Sequence, residues 1–207
     1  MAIRTLIFDI GGVLLKPKPS HNPDHQWESR LGLPEGEIKR LITRSGWNRA
    51  ATLGQISAHE LWQHVGERLA LSNEQLHAIE SDFRPDDEIN TTLVNFIQSL
   101  RSHYTIAAIS NAWSDAREAL TRLYGLDKMV DTMFFSYEVG VAKPDSRIYQ
   151  LAISRLKAYP EETIFVDDKS ANVDTARLIG MHAIWYKDNE QTIAEIKKWL
   201  ERLSSVW

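Results

Sequence analysis

The stretch "LIFDIGGVLL", residues 6–15, sets one carboxylate, Asp9, where an apolar run stops, and follows it with Gly11 and Gly12. The run before Asp9 is apolar throughout and does not alternate with polar residues, which is the pattern of a strand covered on both faces in a parallel sheet. Glycine at 11 and 12 strips the next stretch of side chains, so the backbone there can approach a ligand closely and offer its amides to an anion.

Four further runs have the same character: "YTIAAIS" at 104–110, "MFFS" at 133–136, "TIFVD" at 163–167 and "MHAIW" at 181–185. Helical periodicity separates them. Residues 86–102 place Ile89, Leu93, Phe96, Ile97 and Leu100 on one stripe, and residues 188–203 do the same with Ile193, Ile196, Leu200 and Leu203. Strands alternating with such helices predict an α/β fold, a doubly wound parallel sheet with right-handed crossovers. Between Lys16 and Pro85 no strand is expected. The segment carries helix starts of its own, "SAHE" at 57–60 and "SNEQ" at 72–75, both shaped like capping boxes, and its boundaries "KPKPS" and "FRPDD" are proline-bearing. The expected division is an α/β core of residues 1–15 and 86–207 with a helical insertion of residues 16–85. There is no internal repeat.

Composition narrows the function. The chain has 207 residues, 43% hydrophobic and 25% charged, with a net charge of −4. That balance offers nucleic acid no basic face and a membrane no polybasic patch. Cysteine is absent, which excludes disulfides, thiol nucleophiles and zinc thiolates. No segment approaches the roughly 18 apolar residues of a membrane span, and the N-terminus is too weakly apolar for a signal peptide, so the expected location is cytoplasmic.

Three strand runs end in polar residues: Asp9, then Ser110 with Asn111, then Asp167 with Asp168. Ligands in open parallel sheets sit beyond the carboxyl ends of the strands, where these residues would converge. Two or three negative charges in a small volume are costly unless a cation binds or the acids take up protons. Hard oxygen donors of this kind suit magnesium, which commonly takes one or two protein carboxylates and completes its shell with water and phosphate oxygens. Lys143, in "GVAKPD", is the cationic counterweight, on a loop pinned by a helix start at Pro144 and Asp145.

In order and spacing these residues resemble the haloacid dehalogenase-like (HAD) hydrolases, a superfamily consisting mainly of magnesium-dependent phosphatases. "FDIGGVL" resembles its first motif, "ISN" at 109–111 the second, Lys143 in "AKPD" the third and "VDDKSAN" at 166–172 the fourth. The helical insertion resembles the family's small cap. The resemblance implies Mg2+ as cofactor and Asp9 as nucleophile and metal ligand, with the Gly11 carbonyl and Asp168 as further ligands. It places Asp167 in support of the metal or of Lys143. Ser110 and the Asn111 backbone would bind the transferring phosphate, with Lys143 offsetting its charge. The implied substrate is a small phosphorylated metabolite.

The chain also departs from the pattern. Most phosphatases of the family carry a second Asp two residues after the nucleophile as general acid and base, and here that position is Gly11. Either the leaving group needs little protonation, as in a sugar 1-phosphate or acyl phosphate, or another residue supplies the proton, or turnover is poor. His21 and His25, near the start of the insertion, are the candidates for that other residue. Trp47 and Trp62 lie in the insertion, where packing is expected ahead of substrate contact, and Asp174 is expected at the surface. Two rival functions follow: a 2-haloacid dehalogenase using a metal-free Asp9, and a phosphometabolite-binding module with weak or no catalysis. Oligomeric state is left open.

Overall fold

The computed structural model describes residues 2–18, 23–83 and 86–204. In chain order the elements are β1 (Thr5–Phe8), β2 (Leu15–Pro17), α1 (Pro23–Leu31), α2 (Glu37–Arg44), α3 (Gly46–Thr52), α4 (Ala58–Leu69), α5 (Asn73–Asp82), β3 (Asp87–Ile89) and α6 (Thr91–Leu100). There follow β4 (Thr105–Ser110), α7 (Ala116–Tyr124), α8 (Leu126–Met129), β5 (Thr132–Phe135), α9 (Ser136–Val139) and α10 (Ser146–Leu156). The chain continues with β6 (Thr163–Asp167), α11 (Ser170–Leu178), β7 (His182–Trp185) and α12 (Asn189–Ser204).

The five apolar runs are the strands of one parallel sheet, in the order β5-β4-β1-β6-β7. Alternate side chains feed two cores. Leu6, Phe8, Ile106, Ala108, Ile164 and Val166 pack with Leu93, Val94 and Ile97 of α6 and Ile196 of α12. Ile7, Ala107, Ile109, Phe134 and Phe165 pack with Ile148, Tyr149 and Ala152 of α10 and Ala176 of α11. Because both faces are covered, neither parity of the strand sequence can be polar. The chain leaves the central strand β1 for β4 on one side and returns to β6 on the other. The carboxyl ends of these three neighbours therefore meet at the point where strand order reverses.

Of the helices α1–α5, α1, α2, α4 and α5 enclose a separate cluster, with Trp27, Ile38, Ile42, Trp62, Val65 and Ile79 buried together. Both expected capping boxes are present. Ser57 accepts from Glu60 N–H while the Glu60 carboxylate accepts from Ser57 N–H, and Ser72 and Gln75 repeat the arrangement. Trp62 is buried here, and Trp47 stacks on His64 with centroids 5.0 Å apart.

Two expectations need correction. The segment beginning at Lys16 was expected to be free of strand, yet Leu15–Pro17 pairs antiparallel with Asp87–Ile89 to form a two-stranded ribbon at the root of the helical block. The helix expected from residue 86 starts at Thr91, capped by the Asn90 side chain, and Ile89 belongs to β3. Three-residue strands have no periodicity to read, and in the second case the apolar stripe ran one turn past the cap. Among the described residues no helix is long and apolar enough to cross a membrane.

Candidate active site

The register of the sheet builds the site. Phe8 is level with both Ala108 and Val166, and Asp9 N–H donates to Val166 O at 2.8 Å. The next residue on each strand is Asp9, Ile109 or Asp167, and one step further come Ser110 and Asp168. Asp9 and Asp167 are 5% and 0% exposed, and Lys143, brought in by the loop before α10, is 5% exposed.

Lys143 uses all three of its donors. Its Nζ reaches Asp9 Oδ1 at 2.8 Å, Asp167 Oδ2 at 2.7 Å and the Ile109 carbonyl at 2.8 Å. A buried ammonium is tolerable only when paired and fully hydrogen-bonded, and here it is both. Asp167 is equally occupied: Oδ1 accepts from Lys169 N–H at 2.8 Å and from Asn172 Nδ2 at 2.9 Å, and Oδ2 accepts from Lys143 and Asn172. Asp9 Oδ1 accepts from Ile10 N–H at 2.7 Å as well as from Lys143. Burial pushes the Asp9 carboxyl up to about 6, Asp167 adds to the rise, and Lys143 works against it.

Asp168 differs from the other two acids. It is the least buried of the three, yet its Oδ1 is shut away from solvent with no hydrogen-bond partner. Ligand oxygens of Asp9, Asp167 and Asp168 all lie within 4.8 Å of one another. A carboxylate oxygen buried without a donor beside two other acids is what a hard divalent cation would satisfy, so the donor set fits the magnesium inferred from the sequence. Asp167 has both oxygens engaged by Lys143, Lys169 and Asn172, whereas Asp168 Oδ1 has no donor.

The glycines have separate jobs. Gly12 has φ +80, and a Cβ there would lie 2.4 Å from Asp168 Oδ2 and 2.9 Å from its Cγ, so the residue is glycine because the acid packs against it. Its N–H donates to Leu15 O at 2.7 Å and its carbonyl accepts from Lys16 Nζ, which closes the turn leading to β2. Gly11 lies outside the left-handed region, and a Cβ there would meet nothing within 4 Å.

Ser110, at the end of β4, is buried. Asn111 is exposed, but its side chain brackets the Lys143 backbone: Nδ2 donates to Lys143 O and Oδ1 accepts from Lys143 N–H, both at 2.8 Å. The following loop meets the helical block. The Trp113 indole N–H donates to Asn48 Oδ1 at 3.0 Å, and its ring meets Trp62 edge-on with centroids 6.2 Å apart. Ser114 Oγ accepts from Ala58 N–H at 3.0 Å. Sequence reasoning missed the bracing roles of Asn111 and Asn172, although both stand inside stretches it singled out, five or fewer residues from an acid or serine of the site. His21 lies outside the described residues, and His25 is an exposed residue in the first turn of α1. Asp174 is exposed and pairs with Arg177 at 3.6 Å.

A family model described as haloacid dehalogenase-like hydrolase matches residues 3–180. The chain belongs to that family. This HAD-like hydrolase is 34% identical over 186 residues to a phosphorylated carbohydrates phosphatase of Thermotoga maritima, a match covering 88% of this chain and 84% of that protein. It is 28% identical over 219 residues to the bifunctional epoxide hydrolase 2 of Rattus norvegicus, covering 96% of this chain but only 39% of that much longer protein. Among solved structures, a HAD family enzyme of Bacteroides thetaiotaomicron in complex with magnesium and inorganic phosphate superposes with a TM-score of 0.75. It is 21% identical, and the match covers 90% of this chain and 95% of that one. Proteins named as haloacid dehalogenases also match.

Proposed function

We propose that this hydrolase is a magnesium-dependent phosphatase of a small phosphorylated metabolite, working through an aspartyl-phosphate on Asp9. The observation that carries the reading is the buried, unpartnered Oδ1 of Asp168 beside Asp9 and Asp167. A site meant for a bare carboxylate nucleophile would have no use for the third acid. The ion would be held by Asp9, Asp168 and the Gly11 carbonyl, and when bound would offset the charge of the phosphoryl oxygens.

The remaining chemistry falls to the protein. Lys143 and Ile10 N–H anchor Asp9 Oδ1, which leaves Oδ2 as the atom we assign to attack on phosphorus. A bond forms from Oδ2 to phosphorus as the bond to the leaving oxygen breaks, and water then cleaves the acyl phosphate to restore Asp9. Phosphoryl transfer asks mainly for in-line placement and charge stabilisation. Lys143 supplies a fixed positive charge, held in place by Asp167, Asn172 and Asn111. Ser110 and the Asn111 backbone are assigned to the phosphoryl oxygens. With Gly11 in place of an acid, no side chain at that position protonates the leaving oxygen. That favours a departing group stable as an anion, such as the anomeric oxygen of a sugar 1-phosphate or a carboxylate from an acyl phosphate. The helical block α1–α5, meeting the loop after Ser110, is assigned the part of a cap.

Asp9→Asn should abolish hydrolysis of p-nitrophenyl phosphate, and EDTA should do the same to the wild type reversibly. Full activity in either case would overturn the reading. Gly11 also favours a second reading, dehalogenation through an Asp9 ester, and EDTA-resistant halide release from a 2-haloacid would establish it.

A further inference from the structure

We propose that Trp185 is a positioning residue for Asp168, and that its indole N–H sets the affinity of the site for a divalent cation. The inference rests on the metal reading above.

The ladder between β6 and β7 ends at the Asp167 carbonyl, which accepts from Tyr186 N–H at 2.9 Å. Asp168 is the first residue beyond it, where the backbone of β7 no longer pairs. At that position a side chain takes over from the main chain: Trp185 Nε1–H donates to the Asp168 carbonyl at 2.9 Å. From the other direction the carboxylate of Asp168 lies against Gly12, at a distance that leaves no room for a Cβ. Asp168 is thus held between the β1 turn and the β7 indole. Nothing holds the carboxylate by hydrogen bonding at Oδ1. Its direction therefore depends on how firmly its backbone is fixed, and the indole is the part of that fixation supplied by a side chain.

Packing does not account for the tryptophan. Trp185 is 45% exposed, and the Lys187 ammonium lies 5.1 Å from its ring centroid. A large aromatic left half in water at a strand end gains little from burial. The specific contribution visible at this position is the N–H donated to the Asp168 backbone. Partners that orient metal ligands from outside the coordination shell typically change affinity by about 10–100-fold when removed.

The test is calorimetric titration of Mg2+ into the purified protein and its variants. Trp185→Phe keeps an aromatic ring and deletes the donor. Benzothienylalanine at 185 keeps the outline of the indole with sulfur in place of N–H, and serves if Phe perturbs folding. Both should bind Mg2+ about tenfold more weakly. Their melting temperature in EDTA should stay near that of the wild type, and kcat should recover when Mg2+ is raised to saturation. Lys187→Ala, which removes the cation over the ring and leaves the indole N–H in place, should bind as the wild type does. Wild-type Mg2+ affinity in both position-185 variants overturns the inference while leaving the metal reading intact. Failure of the wild type to bind Mg2+, or undiminished binding by Asp168→Asn, overturns the metal reading and this inference with it.

Discussion

Two adjacent glycines should respond to the same substitution in opposite ways. In Gly12→Ala the added methyl would lie 2.4 Å from Asp168 Oδ2 and 2.9 Å from Cγ, where ordinary contacts begin near 3.4 Å. One of the two groups must give way by about 1 Å, and displacements of that size in a reactive constellation can cost about 10²-fold in rate. The backbone adds its own penalty, because φ +80 in a residue with a Cβ costs about 1–2 kcal/mol. Gly11→Ala meets neither obstacle, since its φ is outside the left-handed region and its Cβ position is open. The assay is the Mg2+ dependence of p-nitrophenyl phosphate hydrolysis together with thermal melting. Gly12→Ala should lose about 10²-fold in kcat/KM, require more Mg2+, and be destabilised by about 1–2 kcal/mol. Gly11→Ala should stay within about threefold of the wild type and within about 0.5 kcal/mol in stability. If Gly12→Ala keeps wild-type Mg2+ dependence, or if the two variants are impaired alike, the packing of Asp168 against Gly12 does not matter to the site as argued.

The open space over Gly11 allows the missing acid to be restored. Gly11→Asp should speed hydrolysis of alkyl phosphates with basic leaving groups, by tenfold or more given that a placed general acid contributes about 10²–10⁴-fold. It should do little for p-nitrophenyl phosphate, and equal effects on both substrates would refute a proton-donor role. At the seam with the helical block, a Cβ on Gly54 would fall 2.1 Å from the Tyr137 carbonyl oxygen, and φ there is +69. Gly54→Ala should therefore lower the melting temperature and expose the seam to limited proteolysis; resistance equal to that of the wild type would count against a tight seam. Asn48→Ala and Trp113→Phe remove opposite ends of one hydrogen bond, so their destabilisations should be non-additive by about 0.5–1.5 kcal/mol in a double-mutant cycle.

What could be read in the sequence followed from continuous burial. Strands covered on both faces show as unbroken apolar runs, so all five sheet strands were legible, and their polar ends marked Asp9, Ser110, Asp167 and Asp168 as candidates before any geometry was known. The capping boxes at Ser57 and Ser72 were equally legible because each is a local, reciprocal pair of hydrogen bonds. The ribbon of Leu15–Pro17 with Asp87–Ile89 was not, because its order comes from pairing across about seventy residues of chain and neither half has a pattern of its own. The same holds for bracing. Asn111 and Asn172 stand in motifs visible in the sequence, but that one brackets the Lys143 backbone and the other grips both oxygens of Asp167 depends on where loops from different strands meet. Trp185 gave no signal at all, since an aromatic residue ending a strand reads as packing until its N–H is seen on Asp168.

Two of the three acids are answered within the protein and the third is not, and that imbalance makes a claim about stability. Lys143 pairs with Asp9 and Asp167 at once, whereas Asp168 Oδ1 is buried without a donor. A buried unsatisfied polar atom costs about 1–3 kcal/mol, and more when it carries charge. In the absence of a cation, then, Asp168 is held in place against its own electrostatics, by the Gly12 contact and the Trp185 indole N–H on its carbonyl. Asp168→Asn removes the charge while nearly preserving the shape, so in EDTA the variant should be more stable than the wild type, by about 1 kcal/mol on the same scale. Mg2+ should reverse the order. The unfolded chain has no assembled site, so binding stabilises the wild type by RT ln(1 + [L]/Kd), about 2.7 kcal/mol at a hundred times Kd, and the variant by much less. Denaturant melts of both proteins in EDTA and in saturating Mg2+ decide the matter. If Asp168→Asn is the less stable protein without metal, or gains as much from Mg2+ as the wild type does, the acid is a structural residue and the cation must be sought elsewhere.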